Sequence, residues 1–158
     1  MLHGHGLRER VLLGPEVPGG KPVLRVVICR RFRCTACEAV LLVVPRPVQA
    51  RRRFSACALA LALALWGHER LTAEGVRKRV APGTFFEGGW RSLDRWARAV
   101  AAGTLFPGYL TGGIAVGGKR LREVAGEVAS WLAGHAPPPC PSDEPLWAKT
   151  FRGGEHAG

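Results

Sequence analysis

Two cysteines, Cys34 and Cys37, stand two residues apart directly behind a basic run, Arg30-Arg31-Phe32-Arg33. A tight Cys-x2-Cys turn aims both sulfurs at one ion, so the pair is half of a tetrahedral zinc set. The other half must come from elsewhere, because the chain holds no second Cys-x2-Cys. His3 and His5 lie just ahead of the first predicted strand, where the opposite knuckle of a small ribbon belongs. The expectation is a structural zinc held by Cys34, Cys37, His3 and His5. A redox role for the two thiols fits less well, since nothing around them reads as the βαβ setting of such pairs.

The second chemistry is cationic. Twenty-three Lys and Arg against 12 Asp and Glu leave a formal charge of +11. The surplus is clustered, which favours a polyanion, nucleic acid before an anionic membrane surface. Arg91, Arg95 and Arg98 recur at i, i+4 and i+7, on one side of a predicted helix. Arginine there can reach guanine O6 and N7 in a major groove. The clusters Arg51-Arg52-Arg53 and Arg77-Lys78-Arg79 suit phosphates, which give affinity without sequence information. Asp94 stands four residues before Arg98 and can pair with it, as charges on a merely solvated helix face do.

The elements that must position these groups follow from pattern. Strands are expected over 7–13, 23–32 and 39–44, the second rich in β-branched residues, with Gly14-Pro15 and Gly19-Gly20 marking the turn between the first two. Residues 46–53 read as a basic linker. Ser55 can cap a helix over 56–66, although Ala and Leu alternate there with a period that also suits a strand; propensity favours the helix, buried on nearly all sides. Thr72 caps a short helix to Val80. Trp90, Leu93, Ala97 and Val100 form the inner stripe of a helix over 90–102, with the three arginines opposite. These three helices read as a helix-turn-helix. Residues 103–118 read as loop, 119–135 as an amphipathic helix with a stripe of Leu121, Val124, Val128 and Leu132, 136–145 as extended, and 146–158 as a poorly ordered end. The expected class is α+β: a three-stranded zinc-ribbon-like domain (1–47), a helix-turn-helix domain (54–102), and a Gly/Pro-rich region (103–158) whose helix could pair two copies as a homodimer.

Arg30-Arg31-Phe32-Arg33-Cys34-x-x-Cys37, the Pro47 to Phe54 stretch with its three arginines, and Gly89-Trp90-Arg91-Ser92-Leu93-Asp94-Arg95-Trp96 resemble the N-terminal region of bacterial transposase-related proteins, over residues 1–102. The resemblance implies a zinc ribbon followed by a helix-turn-helix and double-stranded DNA as partner, in an accessory factor, a regulator or a remnant of a mobile element. Such ribbons carry a first Cys-x2-Cys ahead of a segment like His3 to Arg10, and this chain departs from the pattern there.

Other readings carry less. Gly113 to Lys119 matches G-x4-G-K, but Arg120 replaces the Ser or Thr that binds Mg²⁺, and no strand leads into it. The acids are scattered over helices and loops, and no Cys/His pair is set up for nucleophilic attack, so no enzyme is expected. A protein–protein adaptor using the ribbon and the helix over 119–135 is the main rival. An RNA-binding ribbon is the other, although Phe32 is the only aromatic on the predicted strands. Five cysteines are too few for a disulfide scaffold, the first residues lack the apolar core of a signal peptide, and a cytoplasmic setting is expected.

Overall fold

The computed structural model describes residues 1–46, 48–49, 52–81, 83, 90–111 and 118–157. The fold is α+β: a three-stranded antiparallel sheet and a body of six helices among those residues. None of these helices is long and apolar enough to cross a membrane.

The sheet is a long arm. Strand β1 (Leu2–Gly14) pairs with β2 (Val23–Cys34), and β2 pairs with β3 (Val40–Val43). At ~3.3 Å per residue, β1 extends roughly 40 Å. The arm is fixed at its base. Leu13 donates its N–H to the Arg53 carbonyl at 2.7 Å, and Ser55 returns an N–H to the Leu13 carbonyl at 3.1 Å. Away from that base nearly every side chain of β1 is exposed.

Cross-strand partners share a face, so the register sorts the arm into two unlike surfaces. Leu7, Glu9 and Val11 stand opposite Arg30, Ile28 and Val26, and Leu41 and Val43 join them from β3 opposite Phe32 and Arg30. This face is almost wholly apolar. On the other face Arg8 and Arg10 stand opposite Cys29 and Val27, and Arg25, Arg31 and Arg33 continue the row along β2. Leu12, near the base, and Cys29, opposite Arg8, are buried on that second face.

Helix α1 (Ala56–Gly67) is the axis of the body. The Ser55 side chain accepts from the Ala58 N–H at 3.2 Å and starts it. Every residue from Ala56 to Leu65 is buried. That burial explains the misleading alternation of Ala and Leu: a helix covered on all sides has no polar face to impose a period of 3.6. Around it pack α2 (Ala73–Val80), α3 (Ser92–Ala101), α5 (Leu121–Ala133) and α6 (Leu146–His156), with a single turn, α4 (Gly108–Thr111), between α3 and α5.

One expectation changes. The end of the chain is not loose: α6 lies against α1 and α5, with Ala148, Thr150 and Phe151 buried. The Thr150 hydroxyl reaches two carbonyls, Ala129 at 2.9 Å and Leu146 at 2.8 Å. Of the α5 stripe, Val124, Val128 and Leu132 are buried inside the same chain, where α5 meets α1, α3 and α6, and Leu121 is half-buried. Helices α1, α2 and α3 follow one another in the expected order, with residues 81–91 between α2 and α3.

Candidate nucleic-acid interface and thiolate pair

Phe54 leads into α1, and its ring packs edge-on against Trp96 of α3 at 5.0 Å and against Trp90 at 6.2 Å. Trp90 and Trp96 meet each other at 5.2 Å. This aromatic triad clamps the basic linker onto α3. Trp96 is a core residue that the expected stripe omitted, although it stands three residues after Leu93, a spacing that places both on one side of a helix.

The clamp brings together arginines from three parts of the chain. Half-buried Arg52 lies near enough to Arg95 that burial, and then the neighbouring positive charge, pull its guanidinium below the ordinary range. Arg10, from the basic face of the arm, donates through Nη2 to the Arg52 carbonyl at 3.2 Å. On α3 itself Arg91, Arg95 and Arg98 are all exposed, while Leu93, Trp96, Ala97 and Val100 face inward. Arg95 makes a long contact to the Ser92 hydroxyl at 3.4 Å. Asp94 forms no ion pair with Arg98 among the described residues, so the three α3 arginines stay open to an external anion. Arg53 is exposed beside Arg52, and Arg51 lies outside the described residues.

The second cluster divides. Arg77 is held inside the structure: its guanidinium grips Glu74 at 2.6 and 2.8 Å and donates to the Gly83 carbonyl at 3.0 Å. Those bonds from Arg77, outweighing desolvation, hold the Glu74 carboxyl below its usual range. Lys78, with 71% of its side chain exposed, and Arg79 instead line an open cleft of about 320 Å³ with Lys21 and Trp147. The row of arginines along the arm and Lys21 were not among the sequence candidates. Their signal is there in the period of two from Arg8 to Arg10 and from Arg31 to Arg33, but only the register of β1 on β2 puts the two pairs on one face.

At the far end of the arm, Cys34 and Cys37 occupy the β2–β3 turn. The turn is closed by Cys34 donating to the Ala39 carbonyl and Glu38 donating to the Cys34 carbonyl, both at 2.9 Å. Backbone N–H groups of Cys37 and then Ala36, followed by the Cys37 thiol, bond the Cys34 sulfur and hold its thiol below the ordinary value of 9.0. A turn that favours thiolate suits a zinc ion as half of a tetrahedral set. The histidines are not brought to it. His3 pairs with Arg33 and so sits on the opposite face from Cys34, whose partner is Leu2, while His5 falls in the register shift between Gly4 and Leu7. Among the described residues no group of three His, Cys, Asp or Glu side chains converges on one point.

The phosphate-loop pattern at 113–117 lies outside the described residues, and Lys119 behind it bonds both Glu127 carboxylate oxygens at 2.7 and 2.8 Å. Comparison with protein-family models, with curated proteins and with solved structures gave no match.

Proposed function

We propose that this chain binds double-stranded DNA, with α3 as the reading helix and the linker and arm as phosphate grips, in the manner of the N-terminal region of transposases. The observation that carries the reading is the packing of Phe54 on Trp96, which sets the basic linker beside α3, with Arg10 of the arm bonded to the Arg52 carbonyl. Cations from the arm, the linker and α3 are thereby brought into one neighbourhood, which a phosphate backbone would meet together. Arg91, Arg95 and Arg98 supply groove contacts, and Arg52, Arg53, Lys78 and Arg79 supply phosphate contacts. The protein would act as an accessory factor, regulator or remnant of a mobile element. Zinc, if taken up, is held by Cys34 and Cys37 and serves to stiffen the tip of the arm.

The test is binding of the purified chain to duplex DNA across a salt series, beside an Arg91/Arg95/Arg98→Ala variant. A linear fall of log affinity with log salt, with slope near −0.9 per phosphate neutralised, is expected. The variant should lose preference among duplex sequences as well as affinity. Equal weak binding by both proteins at low salt sinks the proposal. The adaptor reading has one observation in its favour, the uncovered apolar face of the arm.

A further inference from the structure

The apolar face of the arm is an uncovered surface at the upper end of what a folded monomer normally presents. Leu7, Leu24, Val26, Ile28, Leu41 and Val43 stand on it, each between 49% and 63% exposed. These six alone offer on the order of 600 Å², at the top of the ~300–600 Å² of the largest patch on a typical monomer and approaching the ~800 Å² that each partner gives to a standard specific interface. The six residues come from all three strands, so the patch is continuous across the sheet.

From this face we infer that two copies of the chain pack arm against arm, apolar sheet on apolar sheet, as a two-fold dimer. Two charges on the face point to a second copy rather than another occupant. Glu9 on β1 and Arg30 on β2 are both exposed, and among the described residues neither forms an ion pair. They occupy neighbouring pairs in the register, Glu9 opposite Ile28 and Arg30 opposite Leu7. A two-fold axis running between them sets Glu9 of each copy against Arg30 of the other, so one acid and one base become two ion pairs, as an isologous contact requires. A lipid surface fits poorly: the arginine row that would meet anionic headgroups lies on the opposite face and would point away. Alternation within each strand makes the division possible. The face that closes the dimer carries almost no net charge, and the arginine faces of both copies stay turned outward.

The experiment is sedimentation equilibrium of the full chain from low to high micromolar, in reducing buffer so that no disulfide through Cys37 contributes. Wild type is expected to sediment as a dimer. Val26→Glu/Ile28→Lys should be monomeric with an unchanged circular dichroism spectrum, since both positions face solvent in the single chain. Glu9→Arg and Arg30→Glu should each weaken the dimer about tenfold, and the double variant should recover it. Arg8→Glu, on the other face, should leave the dimer intact. A wild type that stays monomeric throughout overturns the inference, whether or not it binds vesicles or another protein. So does a Val26/Ile28 variant that dimerises as tightly as wild type.

Discussion

Gly67, in the last turn of α1, lies backbone to backbone against Gly126 in the middle of α5. A Cβ on Gly67 would stand 2.6 Å from the Ala125 carbonyl carbon and 2.7 Å from the Gly126 Cα, and neither atom can yield without moving the helix. The same device recurs where α6 meets α1: a Cβ on Gly154 would stand 2.5 Å from the Ala60 side chain and 3.0 Å from the Ala56 carbonyl oxygen. Small residues let these helices approach closely, and that approach buries α1 on every side.

Gly67→Ala and Gly154→Ala are therefore expected to destabilise the fold by about 1–3 kcal/mol each, the cost of forcing bulk into a filled contact. Urea unfolding followed by circular dichroism measures it. Gly118, with nothing within 4 Å of its Cβ position but a φ of +78°, serves as the comparison: Gly118→Ala should cost only the backbone strain, about 1 kcal/mol. If Gly67→Ala proves no worse than Gly118→Ala, the close α1–α5 crossing is wrong.

The last helix supplies a second stability prediction. Phe151 is 4% exposed and belongs to the same core as Leu59, Leu63 and Leu132. Phe151→Ala should cost about 3–5 kcal/mol. Removing residues 146–158 should leave a chain that unfolds non-cooperatively, because the faces of α1 and α5 that α6 covers would be exposed. A truncated chain with the wild-type midpoint would show that α6 is not part of the core.

Why the order of the last residues was illegible is itself physical. Leu146 to His156 contains two adjacent glycines, Gly153 and Gly154, which weaken a helix by about 1 kcal/mol each relative to alanine. Local propensity therefore argues against α6, and only its tertiary contacts repay the two glycines. The elements with a strong local signal were legible: the β-branched run of β2, the Ser55 and Thr72 caps, and the two-faced pattern of α3 all stand where the sequence puts them. The site divides along the same line. Exposure of Arg91, Arg95 and Arg98 follows from their spacing on one helix. The approach of Arg52 to Arg95, and the removal of His3 to the face away from Cys34, depend on docking and register, which no local pattern carries.

The basic cluster on α2 can be separated by mutation. Arg77 is engaged by Glu74 and the Gly83 carbonyl. Arg77→Ala should lower the thermal midpoint and leave the salt dependence of DNA binding unchanged. Lys78→Ala and Arg79→Ala should do the reverse, each reducing the magnitude of the salt slope by about one while the midpoint stays put. A fall in slope with Arg77→Ala would show that this side chain leaves Glu74 to meet phosphate.

The cysteines should titrate far apart. Hydrogen bonds within the turn lower the Cys34 thiol, whereas burial, and then the negative charge of Glu155, push the Cys57 thiol up to about 12. Alkylation of Cys34 should accordingly reach half its limiting rate below pH 9.0, and Cys37→Ala, which removes one of the bonds to it, should move that midpoint upward. Cys57 should resist alkylation until the protein unfolds. Its effect on stability has a definite sign. The folded thiol keeps its proton above the ordinary value of 9.0 while the unfolded one loses it, so the native state binds more protons in that window. The contribution is fully present below pH 9.0 and is lost as pH rises towards about 12. Tyr109, raised to about 12 by burial and by its bond to Glu127, adds to the same alkaline fall from its ordinary 10.0 upward. Cys57→Ala should thus flatten part of the decline in urea midpoint between pH 9.0 and 12 and leave the Tyr109 part in place. An alkaline limb identical in wild type and Cys57→Ala would mean that the thiol on α1 is not shut away from water.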